Sequence, residues 1–154
     1  YHELKKAVES SGSLSGVIIL VDPKKANILA LTNFPSFNPS DRRNIKDLNV
    51  FRNKATVDVF QPGSVLKPLA MAAIIESGKI DNNLKINTSP GWIEFGGYKT
   101  SDFRDYGNLS LTEIISNSSN VGMVKLCKMQ DPSHLISYFS SFGLGQLPSN
   151  ILIP

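Results

Sequence analysis

Residues 60–67 read Phe-Gln-Pro-Gly-Ser-Val-Leu-Lys and lead into an apolar run that stops at Gly78. The Pro-Gly pair is typical of a turn. Residues 64–77, which follow it, are apolar at almost every position, and this predicts a helix that is buried on nearly all sides. Because a buried helix is rigid, we expect it to be the central element of the fold and to hold the side chains of its first turn in place.

The first turn of this helix carries a serine and a lysine three residues apart, Ser64 and Lys67. At that spacing two side chains share a helix face, with Cβ atoms about 5 to 6 Å apart. A serine is a good nucleophile only when a base takes its proton, and a lysine can be that base only while it is neutral. Burial and the positive end of the helix dipole both disfavour the ammonium form. The pattern therefore indicates a lysine-activated serine, although a serine at a helix start is more often a simple N-cap.

Pro68 argues against the capping alternative. Proline disfavours helical geometry in the residue before it, here Lys67, and its missing N–H is expected to leave the Ser64 carbonyl without its helical partner. A local rule broken beside a candidate nucleophile is typical of a functional site.

The rest of the chain predicts helices mixed with antiparallel hairpins. Two aliphatic runs, residues 16–21 and 28–32, flank turn-forming residues and indicate two antiparallel strands. Gly96-Gly97 is a good two-residue turn between two further strands. Residues 33–58 are expected to be a long surface excursion. Helices are expected over residues 2–10, 111–116, 121–129 and 132–142, so the architecture is α+β.

Composition argues against nucleic-acid binding and against metal chemistry. The net charge is +3, but the basic residues occur as scattered pairs, which indicates a solvated surface and no nucleic-acid partner. The single cysteine, Cys127, lies in an apolar stretch and is expected to be a buried, inert thiol. His2 and His134 are isolated, so the sequence offers no zinc spacing, and we expect no metal and no other cofactor.

The length of 154 residues fits one domain. No apolar run of the sequence approaches the roughly 20 residues that a membrane helix needs. The chain starts with polar residues and without Met, so we expect it to be a piece of a longer protein.

A family resemblance is carried by six stretches that are spread in order over most of the chain: residues 16–23, 34–39, 52–55, 60–64, 87–92 and 118–125. They resemble the transpeptidase domain of class B penicillin-binding proteins of the cell-division, or septal, type. The Ser-x-x-Lys pattern of residues 64–67 is itself one of the motifs of penicillin-binding proteins and class A β-lactamases. Six ordered matches argue strongly against coincidence.

The resemblance implies roles for four residues. Ser64 resembles the acylated nucleophile and Lys67 its general base. Ser118 matches the serine of the second motif, which relays a proton to the leaving amine, and Asn120 matches the amide that holds the substrate's peptide. A loop between two helices can point such side chains into a cleft. Taken alone, residues 118–120 would most often be a helix cap.

Three departures from the family pattern bear on these roles. Ser119 stands where the second motif often has Asp, and Gln61 stands where many division-type members have Glu. The family's third motif is a Lys-Thr/Ser-Gly strand that follows the other two motifs, and it does not occur before Pro154. Residues 99–101, Lys-Thr-Ser, look similar but lack the glycine and lie between motifs one and two.

By resemblance the fold is α+β and β-lactamase/transpeptidase-like: an antiparallel sheet flanked by helices, beside an all-helical region that carries the first two motifs. Residues 1–154 are expected to form an incomplete transpeptidase domain with the first two of five strands, the C-terminal strands being missing from this chain. In the family the missing strand lines the cleft, and a residue just after it donates part of the oxyanion hole. Residues 1–154 alone are therefore expected to be inactive and at best marginally stable.

The reaction implied by the resemblance is acyl transfer on peptidoglycan. Ser64 attacks a D-Ala-D-Ala stem peptide, D-Ala leaves, and an amine of a neighbouring stem peptide takes the acyl group. β-Lactam antibiotics resemble that peptide and trap the acyl-enzyme. The implied partners are peptidoglycan stem peptides, β-lactams, the missing C-terminal part of the domain and cell-division proteins. The implied location is the periplasm, in a protein anchored in the inner membrane.

Two other functions fit parts of the pattern. A serine β-lactamase or β-lactam sensor shares Ser64 and Lys67, but class A hydrolysis needs a glutamate downstream of the second motif, and no Glu occurs after Glu113. A catalytically silent binding module would use Ser64 as a cap and Lys67 as a surface charge. Pro68 and the six matched stretches argue against that module.

Overall fold

A computed structural model of the chain describes residues 1–41, 43 and 45–146. The chain divides into two compact units, Tyr1–Gln61 and Pro62–Pro154. The first unit contains helix α1 (His2–Ser11), strands β1 (Gly16–Val21) and β2 (Ile28–Phe34), and the short helix α2 (Lys54–Val57). The second contains α3 (Lys67–Glu76), β3 (Lys85–Asn87), β4 (Trp92–Phe95), β5 (Tyr98–Ser101), β6 (Asn108–Ser110), α4 (Leu111–Ser116), α5 (Asn120–Lys128) and α6 (Pro132–Ser141).

In the first unit, α1 packs on the hairpin of β1 and β2. The two strands pair antiparallel, as the sequence predicted, and β2 continues past its predicted end to Phe34. Leu4 and Val8 of α1 are buried. Gly16 leaves room for them, because a Cβ at that position would lie 2.8 Å from a side-chain atom of each. The small residue at the start of β1 thus lets the helix approach the hairpin.

The described residues between 35 and 58 lie at the surface, as expected, and none of them is buried. Two short helical segments within this excursion were not predicted. A 3₁₀ turn at Leu48–Phe51 begins at Asp47, whose side chain accepts a backbone N–H, and α2 begins in the same way at Asn53. These Asx caps stabilise single turns that are too short to give a visible hydrophobic period.

The central helix begins differently from the prediction. The sequence predicted one helix over residues 64–77, whereas the structure has a 3₁₀ turn at Gly63–Leu66 that runs into α3 at Lys67. In this tighter turn the Lys67 N–H donates to the Ser64 carbonyl. Pro68 therefore does deprive this carbonyl of its normal helical partner, as expected, but the N–H one residue earlier replaces it. Pro68 lies in the first turn of α3, where a missing N–H is tolerated, and Lys67 is helical (φ −60°, ψ −43°) despite the proline.

Helix α3 is buried along one side and not all round. The expectation that this helix is buried on nearly all sides is therefore wrong for the described residues. Val65 in the preceding turn is 71% exposed, and Ile75 is 47% exposed. The buried side packs on α4, α5 and α6. It consists of Ala70, Met71, Ala73 and Ile74.

Strands β4 and β5 form the predicted hairpin around Gly96 and Gly97. Both glycines have a positive φ, 59° and 82°, as a type I′ turn requires. Strands β3 and β6 also pair, antiparallel, and were not predicted. Each has only three residues, too few for an alternating pattern to be seen in the sequence. Because β3 precedes the hairpin and β6 follows it, their pairing closes the base of the segment that carries the hairpin.

The core of the second unit lies where α3, α4 and α5 meet, and Ile74, Ile114 and Leu126 are each fully buried there. Helix α4 begins with a capping box. The Ser110 hydroxyl accepts from the Glu113 N–H, and the Glu113 carboxylate accepts from the Ser110 N–H. Helices α4, α5 and α6 agree with the sequence prediction to within one residue at each end. None of the described helices is long and apolar enough to cross a membrane.

Gly122 is the point of closest packing between α4 and α5, which makes Gly122→Ala a test of this core. A Cβ there would lie 2.8 Å from Cγ1 of Ile114 and 3.0 Å from Oγ of Ser119. We expect the alanine variant to lose about 1–3 kcal/mol of unfolding free energy through overpacking, more than it gains in helix propensity. Urea unfolding measures the loss. Adding Ile114→Val, which removes the Cδ1 atom that would lie 3.0 Å from the new Cβ, should recover part of the loss, and a double variant as unstable as the sum of the two single variants would contradict this packing.

Candidate active site

The four residues singled out in the sequence lie together in the second unit. Ser64 is in the 3₁₀ turn and Lys67 opens α3, while Ser118 lies in the turn between α4 and α5 and Asn120 is the first residue of α5. The Ser118 hydroxyl donates to the Ser64 hydroxyl across 3.1 Å. The Lys67 amine donates to the Ser118 hydroxyl at 3.0 Å, to the Ser118 carbonyl at 2.5 Å and to the Asn120 side-chain oxygen at 2.6 Å. Two segments 51 to 54 residues apart in the sequence therefore form one site.

Ser118 bridges Lys67 and Ser64. Side chains three residues apart nearly eclipse each other in a 3₁₀ turn, so Ser64 and Lys67 remain on one face, as the spacing predicted. The hydrogen bonds nevertheless run from the Lys67 amine to the Ser118 hydroxyl and from there to the Ser64 hydroxyl. Ser64 is not the cap of α3, because that position is held by Leu66.

The three hydrogen bonds of the Lys67 amine match the three N–H groups of an ammonium ion. A neutral amine has two N–H groups and one lone pair, so one of its three partners must then act as a donor. The Ser118 carbonyl and the Asn120 side-chain oxygen can only accept, whereas the Ser118 hydroxyl can also donate. Ser118 is thus the partner through which a neutral Lys67 can receive a proton.

Burial lowers the pKa of Lys67 below its usual 10.5, and the Asp102 carboxylate partly opposes this shift. The residue borders a cavity of about 600 Å³ whose lining includes Leu66, Ala70 and Met123. Apolar surroundings of this kind penalise the ammonium form. The lowered pKa increases the neutral fraction of the amine at a given pH, which a general base requires.

Ser119, and not Ser118, caps helix α5. The Ser119 hydroxyl accepts from the Gly122 N–H at 2.8 Å and donates to Asp102 at 2.6 Å, and the residue is fully buried. Ser118 has a φ of 52°, in the left-handed region that few non-glycine residues adopt. The capping role that residues 118–120 suggested therefore belongs to Ser119 alone, and the Ser118 hydroxyl is turned toward Lys67 and Ser64 instead.

Asp102 is a site residue that the sequence reasoning missed. Its carboxylate accepts from the Ser119 hydroxyl and from the backbone N–H groups of Asn120 and Val121, at 2.6, 2.5 and 3.0 Å. The preceding carbonyl, of Ser101, accepts from the side-chain amide of Asn120 at 2.8 Å. These partners are 17 to 19 residues away in the sequence. The one local signal is a carboxylate two residues after the end of a predicted strand, at residue 100, which is too common to identify a site.

The side chains of the other candidate groups lie outside this network. Residues 99–101, which look similar to the third motif, lie on β5, where Ser101 joins the network through its backbone carbonyl and the Lys99 amine lies 4.4 Å from the Trp92 ring centre. Cys127 is half-buried, and burial raises the pKa of its thiol, which favours the unreactive protonated form. His134 contacts the Ala73 carbonyl at 2.9 Å. Among residues 1–41, 43 and 45–146, no cluster of acidic, histidine or cysteine side chains could hold a metal ion.

Comparison with known proteins gives a consistent result. A family model described as the penicillin-binding protein transpeptidase domain matches residues 16–152. The chain is 39% identical over 145 residues to the probable peptidoglycan D,D-transpeptidase PbpC of Pseudomonas aeruginosa, with 94% of this chain and 26% of that protein covered. It is 36% identical over 146 residues to the peptidoglycan D,D-transpeptidase FtsI of Escherichia coli strain K12, with 95% and 24% covered. The chain thus spans about a quarter of the length of these curated relatives.

The fold is similar to that of a solved structure as well. The apo structure of the TP domain from Burkholderia pseudomallei penicillin-binding protein 3 superposes with a TM-score of 0.82 at 27% sequence identity. The alignment covers 100% of this chain and 41% of that one.

The two neighbouring serines should differ sharply in what they contribute to stability. Ser119→Ala removes the cap of α5 and a buried partner of Asp102, so we expect a loss of about 1–2 kcal/mol in unfolding free energy. Ser118→Ala removes a hydroxyl with its hydrogen bonds to Lys67 and Ser64, but these contacts are exposed to solvent, so the effect should stay within about 0.5 kcal/mol. Urea unfolding of both variants measures this difference. A larger loss for Ser118→Ala than for Ser119→Ala would contradict the assignment of the cap.

Proposed function

Because this chain belongs to the penicillin-binding protein transpeptidase family, as its motifs indicated, we propose that it is part of a peptidoglycan D,D-transpeptidase in which Ser64 is the acylated nucleophile. The observation that carries this proposal is the hydrogen-bonded path from Lys67 through Ser118 to Ser64. It joins a candidate base, a candidate proton relay and a candidate nucleophile, and a serine needs such a base to become nucleophilic.

In the first half of the reaction, the Ser64 oxygen attacks the carbonyl carbon between the two D-Ala residues of a donor stem peptide. A C–O bond forms, and the hydroxyl proton passes to the neutral Lys67 amine, either directly or through the Ser118 hydroxyl. The C–N bond then breaks, and the leaving amine of D-Ala takes a proton back from the same path. The product is an ester between Ser64 and the shortened stem peptide.

In the second half, an amine of a neighbouring stem peptide attacks this ester. The amine gives up a proton to the path through Ser118 and Lys67, and Ser64 recovers its proton as the C–O bond breaks. The new amide bond cross-links the two stem peptides. Because the same groups move protons in both halves, one base and one relay are sufficient.

Asn120 is assigned to substrate binding. Its side-chain oxygen accepts from Lys67 and its side-chain NH₂ donates to the Ser101 carbonyl, so both ends of the amide already have a protein partner. An NH₂ group has a second hydrogen, and this hydrogen can bind a carbonyl of the stem peptide without any existing contact being lost. The amide can therefore orient substrate and hold Lys67 at the same time.

The wider setting of the protein is part of the same proposal. β-Lactams share the geometry of the D-Ala-D-Ala peptide and are expected to acylate Ser64. The whole protein is expected to work in the periplasm, anchored in the inner membrane, together with cell-division proteins and with the strands that the family places after this region. That residues 1–154 alone are inactive stays a prediction.

The two other functions are less well supported. A silent binding module does not require a lysine with a lowered pKa that is linked through a second serine to Ser64. A β-lactamase would use the same nucleophile but would release its acyl group to water, and the two relatives named above are described as a probable peptidoglycan D,D-transpeptidase and a peptidoglycan D,D-transpeptidase. The rate at which a bound β-lactam leaves separates these possibilities.

The nucleophile can be identified by labelling the longest gene product that contains these residues with a fluorescent penicillin. We expect one covalent adduct per molecule, located on Ser64 by peptide mapping, because Ser64 is the serine that the Lys67–Ser118 path reaches. The bound drug should leave slowly. An adduct on Ser118 would contradict the assignment of the nucleophile, and turnover of many drug molecules per second would favour a β-lactamase.

Replacement of Lys67 tests the base. Lys67→Ala should slow acylation by about 10²- to 10⁴-fold, the usual contribution of general-base catalysis. Lys67→Arg should fail in the same way, because a guanidinium group stays protonated. Lys128→Ala is a matched control, since its amine stacks on Phe95 and lies outside the hydrogen-bonded path. Acylation of Lys67→Arg at the wild-type rate would mean that another group is the base.

Acylation should also depend on pH in a defined direction. Lys67 accepts a proton only when neutral, and burial lowers its pKa below 10.5. Acylation should therefore slow as the pH falls through this lowered pKa, and the midpoint should lie below that of an ordinary lysine. The second-order rate constant with penicillin, measured from acid to alkaline pH, gives the midpoint. A midpoint at or above that of an exposed lysine would contradict the role of burial.

A further inference from the structure

Asp102 lies in a closely packed loop next to the site. It follows the last residue of β5, and its backbone N–H donates to the Gly91 carbonyl at 2.8 Å. Gly91 has a φ of 85°, and a Cβ there would lie only 3.0 to 3.1 Å from backbone atoms of Arg104 and Asp105. The backbone of residues 102–105 therefore packs tightly against Gly91, which limits the positions that the Asp102 carboxylate can take.

All three hydrogen bonds of the Asp102 carboxylate go to the beginning of α5. One oxygen accepts from two successive backbone N–H groups, of Asn120 and Val121, and the other accepts from the buried Ser119 hydroxyl. The first N–H groups of a helix have no partner within the helix, and a negative charge near them is favourable. The carboxylate thus holds the backbone on the C-terminal side of Ser118.

The same loop also sets the orientation of the Asn120 side chain. The carbonyl of Ser101, the residue before Asp102, accepts from the Asn120 NH₂ group. An amide has one donor end and one acceptor end, so this contact turns the oxygen of Asn120 toward the Lys67 amine. Backbone and side chain of the turn are both held from the end of β5.

We propose that Asp102 is a positioning residue for acylation: its carboxylate holds the turn of residues 118–120 so that the Ser118 hydroxyl and the Asn120 oxygen meet the Lys67 amine. The inference rests on the proposed acylation of Ser64. Asp102 acts through Ser119, Asn120 and Val121 and touches neither Ser64 nor Lys67 by a hydrogen bond among the described residues. A loosened turn would leave the relay and the base out of line, and small displacements of reacting groups cost large factors in rate.

The charge of Asp102 also acts on Lys67, because the carboxylate raises the pKa of the amine against the effect of burial. The turn of residues 118–120 carries no titratable side chain. Among the titratable groups on the helices packed against α3, Cys127 borders the same cavity as Lys67, and burial raises the pKa of its thiol. The others have partners of their own: Glu113 with Ser110, Lys125 with the Asn87 carbonyl, Lys128 with the Phe95 ring, Asp131 with Ser133, His134 with the Ala73 carbonyl and Tyr138 with the Phe142 ring.

Three variants of the longest gene product that contains these residues test the inference. Asp102→Asn keeps the shape and one acceptor oxygen but removes the charge, and Asp102→Ala removes all three contacts. Asp105→Ala is the matched control, because Asp105 lies on the same loop and holds only Ser89 and the Gly107 N–H, both at 2.8 Å. Two quantities are measured: the maximal rate of acylation by a fluorescent penicillin, and the titration of Lys67, followed by NMR of its ε-carbon without any β-lactam.

We expect Asp102→Asn to slow maximal acylation roughly tenfold and Asp102→Ala on the order of 10²-fold. At the end of the reaction, each folded molecule of either variant should still carry one penicillin. In Asp102→Asn the titration of Lys67 should move to lower pH, because a charge that raises its pKa is gone. Asp105→Ala should change neither quantity, because its contacts with Ser89 and Gly107 lie away from Lys67 and from residues 118–120. A purely structural role for Asp102 would instead lower the labelled fraction at an unchanged rate.

The outcomes separate this inference from the proposed function. If the wild-type protein is not acylated at all, the proposed function is wrong, and the NMR titration alone decides the role of Asp102. If the wild-type protein is acylated and Asp102→Asn reacts at the same rate, the positioning role is wrong while the proposed function stands. An unmoved titration of Lys67 in Asp102→Asn likewise overturns the inference, because the carboxylate would then have no influence on the amine.

Discussion

The Lys67 amine is the interaction on which the rest of the site depends. It binds two oxygen atoms of Ser118 and one of Asn120, and so ties the start of α3 to a segment more than 50 residues further along the chain. A lysine is well suited to this task, because its three N–H groups can satisfy three acceptors at once. In the proposed reaction the same amine loses a proton to act as a base, so the group that holds the site together is also the group that the proposal assigns to proton transfer.

Two opposing effects act on this amine. Burial beside an apolar cavity lowers its pKa, and the Asp102 carboxylate raises it. If burial acted alone, the amine would be more often neutral and its hydrogen bonds to Ser118 and Asn120 would be weaker. If the amine were directly paired with a carboxylate, it would stay protonated. Among the described residues, Asp102 makes no hydrogen bond to the Lys67 amine, and its carboxylate binds the backbone N–H groups of Asn120 and Val121 instead. It therefore supports the geometry of the site without pairing directly with the amine.

The packing of the helices explains why the turn can carry this arrangement. Ser119 is fully buried and Gly122 leaves no room for a side chain against Ile114, so α4 and α5 approach closely at the turn. Between them Ser118 takes a left-handed φ of 52°, a conformation that costs energy for a serine and persists only where its surroundings fix it. The cap, the close packing and the Asp102 carboxylate together fix it, and local strain of this kind is frequent at functional sites.

The sequence by itself determined the family, the two segments that form the site, and the positions of the hairpins and helices. It could do so because motifs, turn residues and hydrophobic periods are local, and because the residues at positions 64, 67, 118 and 120 belong to such motifs. The tertiary structure decided what local patterns cannot express. A 3₁₀ turn gives the Ser64 carbonyl its partner despite Pro68, and α3 is buried on one side only, since neighbouring helices decide which faces are covered. The pairing of β3 with β6 and the contacts of Asp102 join residues about 20 positions apart in the sequence. Such contacts form only once the chain has folded, and they produce no periodic pattern from which they could be predicted.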